Sequence, residues 1–207
     1  MPISSNFNLR ILSHCLAAVV LSLTLSLSCT AATGRYGVDL SGRPIGDLGG
    51  AQTKVVVLVF AASDCPISNR YVPEVARLTQ QFSAQPVRIW WVYPNAEDTA
   101  PVVAQHNRDF SIRESAESRT LLDPEQHLVA WAHATVTPEA AVFVVDGASL
   151  REVYHGRIDD RYISLGQQRP EPQHHDLEEA ITAALAGKPV SPPGGPAVGC
   201  SIVFLQK

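Results

Sequence analysis

Apolar and polar positions alternate in blocks along this chain. Lys54 is followed by Val55-Val56-Val57-Leu58-Val59-Phe60, a continuous β-branched run of the kind that fills a strand buried on both faces of a sheet. Val72, Val75, Ala76, Leu78, Thr79 and Phe82 then recur at helical spacing, so a helix follows the strand directly. Pro86 breaks that helix, and Val87-Arg88-Ile89-Trp90-Trp91-Val92-Tyr93 reads as a second strand, ended by Pro94-Asn95. Thr99 to Ile112 reads as a helix with Val102, Val103, His106 and Phe110 on one side, and Thr120-Leu121-Leu122 as a short third strand. Asp123 as N-cap and Pro124 at the first helical position open a helix predicted to run through His133. Val136-Thr137-Pro138 makes a turn before the strand Glu139 to Asp146. Gly147-Ala148-Ser149 then folds it onto Leu150 to Gly156 as a hairpin.

The ends of this pattern are less regular. Gly34 to Gly50 is Gly-rich and polar, with Tyr36 to Leu40 as a short strand and Ser41-Gly42-Arg43-Pro44 as a turn. Residues 157–173 are polar and charged and predict a loop. Its dense charge at Arg157, Asp159, Asp160 and Arg161 suits a solvated surface with weak ion pairs, or else a partner-binding or site-covering insertion. Asp176 to Ala186 is the last helix, stopped by Gly187. Lys188 to Gly199 is rich in Pro and Gly and is expected to be loosely held, with Cys200 beyond it beside Ile202-Val203-Phe204-Leu205. Strands alternating with helices imply a largely parallel sheet covered on both faces and closed by an antiparallel hairpin, an α/β fold.

Length and charge narrow the picture. The 207 residues suit one domain with a full core, and a net charge of -4 without a basic patch argues against nucleic acid as a partner. Residues 1–32 stand apart. Arg10 precedes an uncharged apolar run from Ile11 to Ser28, followed by small Thr30, Ala31 and Ala32, the layout of a secretory signal peptide. The run is also long enough for a retained anchor, and Leu27-Ser28-Cys29 resembles a lipobox loosely, so a membrane tether is the alternative to cleavage. Either way the protein is expected to be exported, periplasmic or facing the periplasm. The domain would then span residues 33–187 and the tail residues 188–207. Of Cys15, Cys29, Cys65 and Cys200, only Cys65 and Cys200 certainly survive processing, a pair that in an exported protein suggests a disulfide or a redox couple.

Cys65 carries the candidate chemistry. It sits between strand and helix with Pro66 next to it, and proline is tolerated in a first helical turn. A thiol there faces unpaired N–H groups and the positive end of the helix dipole, which favour the reactive thiolate. Asp64 next door opposes that effect. The plain alternative is a buried structural cysteine, a common fate of this residue type.

The order of elements and the residues from Phe60 to Pro73 resemble the thioredoxin fold over roughly residues 37–187. An aromatic residue, Phe60, precedes Cys65 by five positions, and Pro73 falls on the family's helix-kinking proline. Thr137-Pro138 before a strand resembles the family's cis-proline loop, which implies that Thr137 and Pro138 lie beside Cys65. The family's second cysteine falls on Ser68, and its usual tryptophan on Asp64, so no local dithiol exists. A single cysteine at this place also resembles peroxiredoxins, but their threonine falls on Ala62 and their earlier proline on Leu58. The resemblance therefore implies a redoxin-type thiol oxidoreductase, with Cys65 attacking a disulfide or a peroxide and Cys200 resolving the product. Its partners would be a reducing thiol protein or a disulfide substrate protein, and no cofactor or resident metal is called for. Two other readings remain open. One is a copper-delivery module using Cys65, Cys200 and one of His155, His174 or His175, a donor set that suits soft copper. The other is a redox-inactive interaction domain.

Overall fold

The computed structural model describes residues 35–191 and 193–205. The signal-like segment 1–32, with Cys15 and Cys29, lies outside them. The apolar run forms β1 (Val55–Phe60), buried at every position. Its side chains alternate by period two: Val55, Val57 and Val59 enter one core layer, Val56, Leu58 and Phe60 the other. Strand β2 (Val87–Tyr93) pairs with β1 in parallel, and β3 (Ser118–Leu122) with β2 in parallel. On the other side of β1, β5 (Glu139–Asp146) runs antiparallel and is followed by β6 (Ser149–Gly156), giving a mixed sheet in the order β3-β2-β1-β5-β6. The expected hairpin at Gly147 is present, and the sheet is half parallel and half antiparallel.

Helices cover both faces. One layer packs Tyr71, Val72, Val75 and Leu78 of α1 (Pro66–Gln81), Val103 of α2 (Ala100–Asp109), and Leu177, Ala180 and Ile181 of α4 (Asp176–Leu185) on the sheet. The opposite layer holds Ile45, Leu48, Leu128 and Val129 of α3 (His127–Trp131), and Ile202 from the C-terminal tail. Among the described residues, no helix is long and apolar enough to cross a membrane.

Several boundaries differ from the sequence expectation, each for a local reason. Tyr36 to Leu40 forms no strand; only Val38 bridges, to Pro44 and Leu122. Helix α2 stops at Asp109 because Ser111 takes a left-handed conformation, φ 57°. Helix α3 begins at His127 and not at Pro124, since Gln126 is also left-handed. Asp123 nevertheless caps it from a distance: its carboxylate accepts hydrogen bonds from the N–H groups of His127, Leu128 and Val129 at 2.9 to 3.1 Å.

Two corrections are larger. The loop 157–173 is not simply solvated. It contains a small hairpin, β7 (Tyr162–Ser164) with β8 (Gln167–Gln168), and it buries two carboxylates, Asp159 and Asp160. Buried Tyr71 donates to Asp159, while Asp160 accepts from the N–H groups of Gln173 and His174. These partners explain how the charges are tolerated inside. The tail also has defined partners where the Pro/Gly content suggests none. Gly195 accepts a hydrogen bond from the N–H of Arg157. Short strand β9 (Cys200–Ser201) then pairs antiparallel with β4 (Val136–Thr137).

Candidate functional site

Cys65 lies where β1 has ended and α1 begins, and it is the N-cap of that helix with Pro66 behind it. Its backbone is extended, so the side chain turns back over the first turn, and Sγ accepts from the N–H of Ser68 at 3.5 Å. Ser68 occupies the position three residues on. Its own hydroxyl accepts from the N–H of Ala62, which ties the loop before Cys65 to the helix after it.

The Thr137–Pro138 bond is cis, and the loop it belongs to lies against Cys65, whose thiol donates to the Thr137 carbonyl at 3.1 Å. Strand β9 brings Cys200 opposite Thr137 in register. Cys65, Thr137, Pro138 and Cys200, separated widely in sequence, therefore meet at one point. Both cysteines are free thiols.

Their acidities diverge. Burial pushes the Cys65 thiol up, but hydrogen bonds from the Cys200 side chain, from the Ser68 N–H and from the Cys200 N–H outweigh it, and the net direction is down. Cys200 goes up, through burial, through its hydrogen bond to Cys65 and through the charge of Cys65, with Asp64 adding to the same direction. The two thiols are thus set apart in acidity, Cys65 the stronger acid and Cys200 the weaker. Asp64, exposed beside Cys65, thus also acts on Cys200.

A polar network supports the loop. Asp98, 5 % exposed, accepts from both the N–H and the hydroxyl of Ser63. Asn69 donates to the Ser63 carbonyl, and its amide oxygen faces Nε2 of His106 at 2.7 Å. Nδ1 of His106 lies 3.0 Å from the Tyr93 hydroxyl. A neutral imidazole protonated on Nε2 satisfies both contacts, and burial pushes His106 down in the same sense. None of Asp98, Asn69 and His106 stands out in the sequence as a site residue; the only trace is a histidine on the apolar side of a predicted helix.

The second anchor is Glu139, first residue of β5 and 4 % exposed. Its Oε2 accepts from the N–H groups of Thr135 (2.7 Å) and Val136 (3.2 Å), and Oε1 lies 2.8 Å from Nε2 of His155. That last contact is close but poorly aligned for a linear hydrogen bond, so charge attraction carries it. Despite burial, which pushes it up, Glu139 is held down by His155 and the loop N–H groups. His155 is held up chiefly by Glu139. Glu139 thereby fixes the loop that presents Thr137 to Cys65.

The histidine-cysteine set proposed for copper does not come together. Among the described residues, the His, Cys, Asp and Glu side chains that gather at ligand spacing are Glu74, His175 and Glu178. Arg77 already bridges those two carboxylates, at 2.6 and 2.5 Å. His155 is engaged by Glu139.

No family model matches the chain, and no curated protein matches it. Solved structures do. An uncharacterized conserved protein from Geobacillus kaustophilus is 21 % identical, with 83 % of this chain and 89 % of that one covered and a TM-score of 0.67. A hypothetical protein from Sinorhizobium meliloti 1021 is similar at 21 % identity, covering 82 % and 90 %, with a TM-score of 0.66. A thioredoxin-like protein from Aeropyrum pernix, 13 % identical, aligns over 86 % of this chain and 98 % of its own at a TM-score of 0.50. The chain has a thioredoxin-like fold. Within that fold, Cys65 at the strand-to-helix junction and the cis peptide beside it fall where the sequence resemblance places them. The thioredoxin-like framework here carries Cys200 on the C-terminal tail, paired with the cis-proline loop.

Proposed function

We propose that this protein is an exported thiol–disulfide oxidoreductase in which Cys65 is the attacking thiol and Cys200 the resolving one. One observation carries the reading: Cys65 caps α1 with its sulfur on the Ser68 N–H, and Cys200 is brought to it across the β4–β9 pair. A thiolate so placed is the nucleophile that disulfide exchange needs. It attacks one sulfur of a target disulfide, the target S–S bond breaks, and the target leaves a thiolate that takes up a proton from solvent. Cys65 is then neutral in a mixed disulfide, so its charge and hydrogen bond no longer raise Cys200. The Cys200 proton goes to solvent, its thiolate attacks Sγ of Cys65, and the second target thiolate is released. Two electrons have passed to the target, and the Cys65–Cys200 disulfide left behind is reduced by a thiol protein through the same exchange. Thr137 and Pro138 act by position: the Thr137 carbonyl holds the Cys65 thiol in place.

Disulfide chemistry is preferred to peroxide chemistry because Cys200 stands across β4 from the Cys65 loop, and because Ala62 stands where peroxiredoxins carry a threonine. Export rests on the pattern of residues 1–32 alone.

The test is reduction of a small aromatic disulfide and of a protein disulfide by the wild type, Cys65→Ser and Cys200→Ser. Cys65→Ser is expected to be inactive, and Cys200→Ser to accumulate a mixed disulfide through Cys65. Activity that survives in Cys65→Ser would overturn the assignment. Mass spectrometry of the exported protein is expected to find residues 1–32 removed, or Cys29 lipidated at the new N-terminus.

A further inference from the structure

Cys65 is 1 % exposed, so no target sulfur can reach it in the conformation described. The chain's own tail runs along the loop that contacts it. Cys200 stands opposite Thr137, the residue whose carbonyl accepts the Cys65 thiol. Its neighbours run along β4 as an added strand, with Thr137 opposite Cys200 and Val136 opposite Ser201. The N–H of Ile202 continues the ladder to the Thr135 carbonyl at 3.0 Å. Beyond it, the tail is held through its backbone by two side chains. Asn95 accepts from the Val203 N–H, and Gln126 donates to the Val203 carbonyl at 2.7 Å and accepts from the Leu205 N–H at 3.0 Å. The side chains of Val203, Phe204 and Leu205 point outward, each more than half exposed.

Almost all of these contacts are to main chain, so they would hold any extended segment. Two positions are selective. Ile202 is 3 % exposed and enters the core layer that contains Leu128 and Ala134. Gly199 is stricter: a Cβ there would lie 2.1 Å from the Thr137 oxygen and 2.6 Å from its carbonyl carbon. Those atoms are backbone, and they belong to the carbonyl that receives the Cys65 thiol, so they have no room to give.

We propose that residues 199–202 are an intramolecular stand-in for the target, seated on a β4 edge that selects an extended segment of the pattern Gly-Cys-x-apolar. The inference rests on disulfide exchange at Cys65, and adds to it that tail and target compete for one edge. The tail leaves to admit the target cysteine to the place of Cys200. When it returns, it delivers Cys200 to the mixed disulfide and expels the product. An added strand of this kind takes its affinity from main-chain hydrogen bonds and its selectivity from the few side chains that meet pockets.

A redox-silent peptide tests this directly. The probe is the fluorescently labelled segment 196–205 with serine in place of its cysteine, so that no covalent capture contributes. Fluorescence anisotropy is expected to show binding to the protein truncated after Val198 and at least tenfold weaker binding to the intact chain. The same peptide with alanine in place of its glycine is expected to bind the truncated protein at least tenfold more weakly. Because truncation removes core residue Ile202, full-length Gly199→Val is the second variant, with its fold followed by circular dichroism. It should bind the probe and should raise the rate of iodoacetamide labelling at Cys65 above that of the wild type. Cys200→Ser, which keeps the tail seated, should leave that rate low. Equal probe binding by intact and tail-unseated protein, or equal binding of the glycine and alanine peptides, would overturn the proposal. The probe carries no thiol, so a failed redox reading would appear in the Cys65→Ser assay and leave this measurement unchanged.

Discussion

Replacing Glu139 by Gln should loosen the loop that presents Thr137, by an amount that depends on pH in a stated direction. Gln keeps one acceptor for the Thr135 and Val136 N–H groups but removes the charge. Hydrogen bonds to a charged acceptor contribute about 1.5–3 kcal/mol and neutral ones about 0.5–1.5, so two bonds weakened in this way cost about 2 kcal/mol. The His155 contact, partly open to solvent, adds about 1 kcal/mol while His155 is charged. The pH window follows from the two directions. Glu139 is held below its ordinary value in the fold, so its contribution is present above the unfolded carboxylate range, near pH 4.3, and is lost as pH falls through the lower folded value. His155 is held above its ordinary value, so its contribution is complete below about pH 6.5 and is lost as pH rises through the folded value. Glu152 also faces His155, and His133 faces Glu152 in turn, and neither is changed by the substitution. Urea unfolding of wild type and Glu139→Gln should therefore differ by about 3 kcal/mol near pH 5.5–6, falling toward about 2 as pH rises through the folded His155 value. A difference under about 0.5 kcal/mol near pH 6, or one that grows toward pH 9, would refute the ionised, loop-anchoring role.

Three further outcomes are expected. Tyr71→Phe removes the hydroxyl that donates to buried Asp159 and should destabilise the fold by about 1–3 kcal/mol in the same unfolding assay, with little change near the thiols. Cys200→Ala removes the thiol that bonds to Cys65, so the Cys65 pKa should rise toward the ordinary cysteine value near 8.5; thiolate absorbance against pH measures it, with less thiolate than wild type at neutral pH. Oxidised protein should unfold at higher temperature than reduced protein, because a bond from Cys65 to Cys200 closes a loop of more than a hundred residues and restrains the unfolded chain by about 5 kcal/mol in the entropic account.

The parts of this fold that were legible in sequence are those with a local cause. The run Val55 to Phe60 has no polar residue to place at a surface, so it could only be a central strand. Pro66 after Cys65 marks a helix start within two residues, and Thr137-Pro138 marks its loop in the same way. What escaped was long-range or depended on what lay opposite. Asp159 and Asp160 look like surface charge until Tyr71, 88 residues away from Asp159, and the N–H groups of Gln173 and His174 satisfy them. Glu139 follows a proline in a strand, where a carboxylate carries no mark of burial; its partners are a folded-back loop and a histidine on the next strand. Gln126 in a left-handed conformation shortened a helix that a good Asp-Pro start signal predicted to be longer. For the tail, composition spoke for looseness, whereas backbone pairing, which any sequence can make, holds it down.

The wide sequence separation of the two thiols also sets a schedule during synthesis. Cys65 leaves the ribosome about 135 residues ahead of Cys200, a lag of roughly ten seconds or more at ordinary elongation rates. Until Cys200 emerges, β4 has no β9 to pair with and Cys65 has no cysteine facing its loop. An exported chain would cross into an oxidising compartment in this state, with Cys65 open to any cysteine it meets. If Cys65 and Cys200 act as proposed, completion of the last strand is also the moment at which the nascent protein gains its own resolving thiol.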